Sequence, residues 1–438
     1  MNTQYIHTAM AVVASAMLCC HSLQAADAPT LSLEQCRQLA LQQNVTVTNA
    51  DLSLNAANES ARQALTGYFP SVSASGMAYN ANKGLIEMDM GPDMQMSMLK
   101  NGVMGGVTLT QPIFAGGQIV NSNRLAKVGV QVAGLQQEQA RKQVLATVEQ
   151  YYWQLVTLIE KKHTLTTVAE MLDQIHSEVD NAVKAGMTTR NDLLQVQLRQ
   201  NDIEASMLNL DNNIQLLRMT LAQYIGMNGS EVNVVTDDDI SKGQVPVFPA
   251  ELAVDYSQAL LNTPEYKLLG ANTDAARLQQ KIEVGKNLPT VGAGVGYMYD
   301  NLTDKSHPFG VAFVSVSVPI SGWWGGSHAI KREKAKVAMA ENTLSDTSDL
   351  LVINMQRLWN DVQDSHRQIG IAYKSIEQST ENLRLERNYY AAGMCTMSDL
   401  LDAQMLYQQS RDKMIEATAR FYVAVMQYRQ ATAQDTYQ

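Results

Sequence analysis

The chain has 438 residues, 17% of them Asp, Glu, Lys or Arg, and a formal net charge of −10. That balance, without any basic run, argues against a nucleic-acid partner. Its ten prolines leave 113–245 and 320–438 empty, so a few very long helices are expected in place of many short elements.

In chain order, the stretch from Thr8 to Cys20 is a short apolar run, followed by Ser22-Leu23-Gln24-Ala25-Ala26. This is the pattern of an export signal with a small-residue cleavage site, although its n-region carries only His7 where Lys or Arg is usual. Residues 1–25 are read as a signal peptide. Met17 and Leu18 before Cys19 and Cys20 do not suit lipid attachment. Cys36 and Cys395, the cysteines left after cleavage, have neither disulfide-framework nor zinc-site spacing. No later stretch reaches the roughly 18 apolar residues of a membrane-spanning helix, so a chain that enters a membrane must do so as a closed β-barrel.

The chain repeats itself. Ala185-Gly186-Met187-Thr188-Thr189-Arg190-Asn191-Asp192-Leu193-Leu194 recurs as Ala392-Gly393-Met394-Cys395-Thr396-Met397-Ser398-Asp399-Leu400-Leu401, an offset of 393 − 186 = 207, and Gln111-Pro112-Ile113 recurs as Val318-Pro319-Ile320 at the same offset. The first repeat spans 26–225, an irregular equatorial linker 226–252, and the second repeat 253–438. Each begins with a helix ending near a proline (48–68 and 264–288), followed by a β-hairpin. Hairpin 71–113 has strands at 71–82 and 103–113, and hairpin 290–320 has strands at 290–301 and 310–320. Val291, Ala293, Val295, Tyr297 and Tyr299 share one strand face, while Gly and Ser occupy the other, as a wet lumen allows.

Beyond a Gly-rich corner, a long helix is predicted over 118–185 and over 327–392. At 1.5 Å per residue each is about 100 Å long. Val144, Tyr151, Leu158, Leu165, Leu172 and Val179 fall seven apart, as do Met355, Val362, Ile369, Ile376, Leu383 and Tyr390, so both helices are expected to pack along their whole length. Gly186 and Gly393 then reverse the chain into shorter helices, 188–225 and 396–436. Four strands cannot close a membrane barrel, so the chain must oligomerise.

With the signal, the duplicated helix, hairpin, long helix and shorter helix, the run Gln111-Pro112-Ile113-Phe114-Ala115-Gly116-Gly117 and the Gly-x5-Asp-Leu-Leu turns, the sequence resembles the TolC family of outer-membrane efflux proteins over nearly all of the mature chain. The resemblance implies a mixed α and β membrane protein. Its homotrimer would form a 12-stranded transmembrane β-barrel in the outer membrane, continued by a long periplasmic α-helical barrel. It implies a passive conduit of a tripartite efflux or type I secretion system, partnered by a periplasmic adaptor and an inner-membrane pump, with no cofactor and no enzymatic chemistry. Val318-Pro319-Ile320-Ser321-Gly322 departs from the family's Gln-Pro-Leu-Phe type of run.

In such a family the two turns form the periplasmic tip. Asp192 and Asp399 each follow a threonine by three, which reads as a helix cap, or as a cap and a gate together. Asp402, which no capping need explains, is the better lumen carboxylate. Tyr390 fits the family's latch tyrosine, but Cys395 stands where an arginine is expected and Arg190 lies in the other turn. Gly186, Met187, Thr189, Gly393, Met394 and Thr396 are read as adaptor-docking turns. Tyr68, Phe69, Phe114, Trp323 and Trp324 read either as an interfacial girdle or as packing where barrel meets helices. The Met-rich stretch 88–98 is taken as an external loop; thioethers can also bind soft ions such as Cu(I), but no metal ligand is assigned. The histidines have no metal-ligand spacing and no Ser-His-Asp set can be drawn. A periplasmic coiled-coil structural or adaptor protein is the competing reading; it leaves the paired hairpins unexplained.

Overall fold

The computed structural model describes residues 29–83, 86–89, 95–98, 101–227, 231–235, 245–301, 306–320 and 322–434, with 86–89 and 95–98 described in backbone only. The predicted signal 1–25 lies outside them, as do the side chains of the Met-rich stretch. The described chain is mostly helical with three small sheets. No described helix is long and apolar enough to cross a membrane.

In order, the elements are β1 (Thr30–Leu31), α1 (Leu33–Gln43), α2 (Val45–Thr66), β2 (Ser71–Asn80), β3 (Ile86–Asp89), β4 (Gln95–Met98), β5 (Asn101–Ala115), α3 (Gln118–Lys184) and α4 (Arg190–Tyr224). Then follow β6 (Asn233–Val234), a 3-10 turn (Ala250–Leu252), α5 (Tyr256–Asn262), α6 (Pro264–Gly285), β7 (Thr290–Asp300), β8 (His307–Ser317), α7 (Gly322–Ala391) and α8 (Met397–Ala431). They group into two compact units: Met1–Asn44, Leu145–Phe248 and Val362–Ala424 in one, and Val45–Val144, Pro249–Asp361 and Val425–Gln438 in the other. These units cut across the two sequence repeats.

In the first unit the C-terminal part of α3, α4, the C-terminal part of α7 and most of α8 share an apolar core. Ile175 and Val179 of α3 meet Val196 of α4, Leu383 of α7, and Met397, Leu400 and Ala403 of α8. Each Leu or Ile so buried contributes roughly 1.5–3 kcal/mol by leaving water. The linker is not wholly irregular: Asn233–Val234 pairs in parallel with Thr30–Leu31, and the Tyr152 hydroxyl donates to the Val235 carbonyl at 2.7 Å. Arg37 of α1 donates through Nε to the buried Glu149 carboxylate of α3 at 3.0 Å, which fixes the N-terminal helix against the long one.

The second unit holds a four-stranded antiparallel sheet in the order β2-β5-β7-β8, so the two hairpins join through β5 and β7. Its rungs alternate. Val72–Leu109–Val295–Ala312 and Ala74–Val107–Tyr297–Gly310 lie on one face, with Val314 and Val316 further along it; Ser71–Thr110–Gly294–Phe313 and Ser73–Thr108–Gly296–Val311 lie on the other. On the second face the Ser73 and Thr108 hydroxyls are 2.9 Å apart. The apolar face is bare in the single chain: Val72, Tyr297 and Val314 are each more than 60% exposed.

Several predicted bounds move. Strand β5 begins at Asn101 and runs through Pro112, with a bulge between Pro112 and Phe114, and β8 starts at His307, earlier than 310. A second small hairpin, β3–β4, stands where a plain loop was expected. The offset between the repeats shows why: it is 289 − 70 = 219 at the prolines before the hairpins and 319 − 112 = 207 after them. The first hairpin therefore carries an insertion of 219 − 207 = 12 residues. Helix α7 begins at Gly322, not 327, which brings Trp323 and Trp324 into its first turn.

The heptad seam also does not fill both long helices. Of α3 before Val144 the described chain buries only Asn123 and Ala133, and of α7 before Met355 only Gly326 and Glu333. Met339, Leu350 and Ile353 stay exposed there, because one chain offers those faces no partner helix.

Candidate functional site

Two helical turns carry most of the residues singled out by the sequence. Helix α3 ends in a left-handed glycine, Gly186, and α7 in Gly393, both with φ +71°. The Met187 N–H reaches back to the Ala182 carbonyl and the Met394 N–H to that of Tyr389, both at 2.8 Å, which satisfies carbonyls the helix end would orphan. Both following methionines project from the turn, Met187 83% and Met394 74% exposed.

The helices that restart are capped differently. In the second turn the Thr396 N–H and hydroxyl both donate to Asp399 Oδ2, at 2.9 and 2.6 Å, and the Asp399 N–H donates to Thr396 Oγ1 at 3.3 Å. This reciprocal box holds the Asp399 carboxyl below its usual pKa, first through the Thr396 hydroxyl and then through its N–H. In the first turn Thr189 caps α4 by accepting from the Asp192 N–H at 3.3 Å, but the Asp192 carboxylate takes the Thr188 hydroxyl. Asp192 is thereby turned toward Tyr390.

Tyr390, near the end of α7, packs its ring against the four-helix core. Its hydroxyl sits beside Thr188 and the Asp192 carboxylate, buried and without a well-formed hydrogen bond of its own. Burial first, and then the neighbouring Asp192 charge, raise its pKa. A tyrosine on one repeat's long helix thus meets the acidic residue of the other repeat's turn. Cys395 takes no part in an ion pair: its thiol donates to the Glu386 carbonyl at 3.4 Å, and burial pushes it up to about 11. Arg190 opens α4 and is exposed. Asp402 is exposed on α8, one turn beyond Asp399.

Sequence reasoning passed over two features here. Thr188, rather than Thr189, supplies the hydroxyl to Asp192. Behind the tips, Arg199 of α4 donates to Gln404 and Gln408 of α8, each at 3.0 Å, with Gln404 fully buried. The signal for the second was present, since Gln197 and Gln404 are repeat equivalents (404 − 197 = 207).

The aromatics fall elsewhere, in the second unit. Tyr68, Phe69 and Phe114 are exposed next to the strand ends. The Trp323 indole donates to the Asn287 carbonyl at 3.0 Å and so ties the start of α7 to the α6–β7 connection, a packing role, whereas Trp324 is 81% exposed.

Comparison with known proteins supplies the frame for this geometry. The family model described as outer membrane efflux protein matches residues 36–227 and 256–434. Protein CyaE from Bordetella pertussis is 22% identical over 354 residues, 79% of this chain and 72% of that protein. Among solved structures, the Campylobacter jejuni outer membrane channel CmeC aligns with a TM-score of 0.79 at 15% identity, covering 91% of this chain and 85% of that one. The outer membrane protein VceC from Vibrio cholerae aligns with a TM-score of 0.75 at 16% identity, covering 91% and 95%.

Proposed function

The chain belongs to the outer membrane efflux protein family, and from that premise we propose that it is one subunit of a homotrimeric conduit that carries solutes from the periplasm to the exterior. The observation that carries this reading is the amphipathic sheet. One face is Val, Leu, Ala and Tyr; the other carries Ser, Thr and Gly on β2, β5 and β7, with Val311 and Phe313 on β8 and methionines at one end, and β2 and β8 have an open edge at either side. An open apolar sheet in water is unstable and prone to pair. Three copies joined edge to edge give twelve strands, with the apolar face toward lipid and the hydroxyls toward the lumen. Strands of 10 and 11 residues match a bilayer crossed at barrel tilt.

Helices α3 and α7, with 67 and 70 residues, are each about 100 Å long and continue the conduit through the periplasm. The exposed faces of their stretches before Val144 and Met355 pack against neighbouring chains. The residues 1–25 direct export and are removed. At the tips, Asp192, Asp399 and Asp402 with Tyr390 gate the entrance, and the turns at Gly186 and Gly393 meet a periplasmic adaptor bound to an inner-membrane pump. The subunit does no covalent chemistry and serves either drug or metal efflux or type I secretion.

The mature chain should extract from outer membranes only with detergent, sediment as a trimer, show mixed α and β circular dichroism and open ion channels in planar bilayers. A stable soluble monomer obtained without detergent after export would overturn the barrel and favour a periplasmic coiled-coil protein.

A further inference from the structure

One end of the sheet's hydroxyl-bearing face changes character. On a single rung Met77 stands opposite Met104, Met104 opposite Asp300, and Asp300 opposite His307. On the neighbouring rung of the same face Met298 stands opposite Gly106. Side chains directly opposite have Cβ atoms about 5 Å apart and diagonal neighbours about 7–8 Å, within reach of a thioether arm. Gly106 leaves the room: the Met298 sulfur lies 2.5 Å from where a Cβ on Gly106 would stand, so it lies across that strand. His307 Nδ1 is 3.6 Å from Asp300 Oδ2.

Apolar character alone does not set this corner apart, since Val311 and Phe313 share the face. What does is its donor set, three sulfurs gathered over β5 with a carboxylate on the next strand, on side chains that are not core: Met77 is 55% exposed. Among the described residues no group of three or more His, Cys, Asp or Glu is set to hold a metal ion. The corner therefore offers nothing to calcium or to a structural zinc. Thioethers are soft, uncharged ligands that favour soft cations such as Cu(I).

We propose that Met77, Met104 and Met298 form a binding site for a soft monovalent cation, Cu(I) or Ag(I), with the Asp300 carboxylate on the same rung offsetting the cation's charge. Neutral thioethers hold such an ion without the grip of thiolates, as a transit site needs if the ion is to leave again. The site lies within one chain's sheet and is measured by binding, not transport, so its failure and that of the channel reading are distinguishable.

The test is titration of the purified full-length protein in detergent with Ag(I), followed by isothermal calorimetry, and X-ray absorption at the silver edge. One site per chain with sulfur scatterers is expected. Met77→Leu/Met104→Leu/Met298→Leu, which keeps side-chain volume, should weaken it at least tenfold, and His307→Gln should leave the sulfur scatterers unchanged. Leu at Met88, Met90, Met94, Met96 and Met98 together should leave the site intact. Wild-type Ag(I) affinity in the triple variant, loss of the site in the five-Leu variant, or no sulfur around silver in the wild-type protein would each overturn the assignment. The absorption result decides even if the triple variant fails to fold.

Discussion

Gly226 and Ala433 stand 433 − 226 = 207 residues apart and hold the same left-handed backbone, with φ +84° and +53°. After each, the next N–H reaches back five residues, Met227 to the Ala222 carbonyl at 2.8 Å and Gln434 to that of Arg429 at 2.9 Å. The shorter helices of the two repeats thus end in one motif, although the letters differ. A Cβ in that conformation costs on the order of 1 kcal/mol. Ala433→Gly should therefore stabilise the protein by up to about 1 kcal/mol, partly offset by the freer unfolded chain. Gly226→Ala should cost more than the reverse gain, because its Cβ would also stand 2.4 Å from Gln43 Cβ. Thermal unfolding in detergent, followed by helical circular dichroism, checks both; a lower midpoint for Ala433→Gly would contradict the strain.

The box at the second tip should be sensitive to acid. Asp399 has a lowered folded-state pKa, so its contribution to the first turn of α8 is present above the ordinary carboxylate range and is lost as pH falls through the lowered value. Hydrogen exchange in the α8 N-terminal turn, corrected for intrinsic rates, should rise over that acidic window in the wild-type protein. Asp399→Asn should show faster exchange already at neutral pH and little further change on acidification. A wild-type profile flat through the carboxylate range would remove Asp399 from the cap's stability.

Ion selectivity tests the gate. Three-fold symmetry would gather the Asp399 and Asp402 carboxylates into a narrow mouth with concentrated negative potential. Asp402→Ala, and more strongly Asp399→Ala/Asp402→Ala, should lower cation selectivity several-fold in bilayer recordings and weaken block by multivalent cations. Unchanged reversal potentials in the double variant would place these side chains outside the conducting path.

Disturbing the Tyr390 contact should loosen the turn region from the other side. Tyr390→Phe keeps the ring in the core and removes the hydroxyl beside Thr188 and Asp192. Single-channel conductance is expected to rise modestly, with trimer stability within about 1 kcal/mol of wild type because the hydroxyl makes no well-formed bond. A drop in stability of several kcal/mol with unchanged conductance would make the contact structural only.

Docking at the turns is tested with charge. Met187→Glu/Met394→Glu alters two side chains that touch little of their own chain, so trimer assembly and barrel insertion should be unaffected while adaptor crosslinking and transport fall at least tenfold. Normal crosslinking in this variant would show that the tips are not the contact.

What the sequence determined by itself is local. The 207-residue repetition, the proline-free helices and the seven-residue series from Val144 to Val179 are written in periodicity. Gly186 and Gly393 are legible because a left-handed helix end strongly favours glycine. Strand alternation at Val291, Ala293 and Val295 separated the two faces of β7, because side chains along a strand point to alternate sides whatever lies beside it. Only the tertiary structure decided which strand lies beside which. The β5–β7 pairing and its register put Met104 against Asp300, and residues 77, 298 and 307 within one corner, through backbone hydrogen bonds between segments nearly two hundred residues apart. The same holds for Thr188 turning Asp192 toward Tyr390, and for Ala433 keeping a conformation its side chain disfavours: such contacts are fixed by the summed packing of distant segments, which no local pattern encodes.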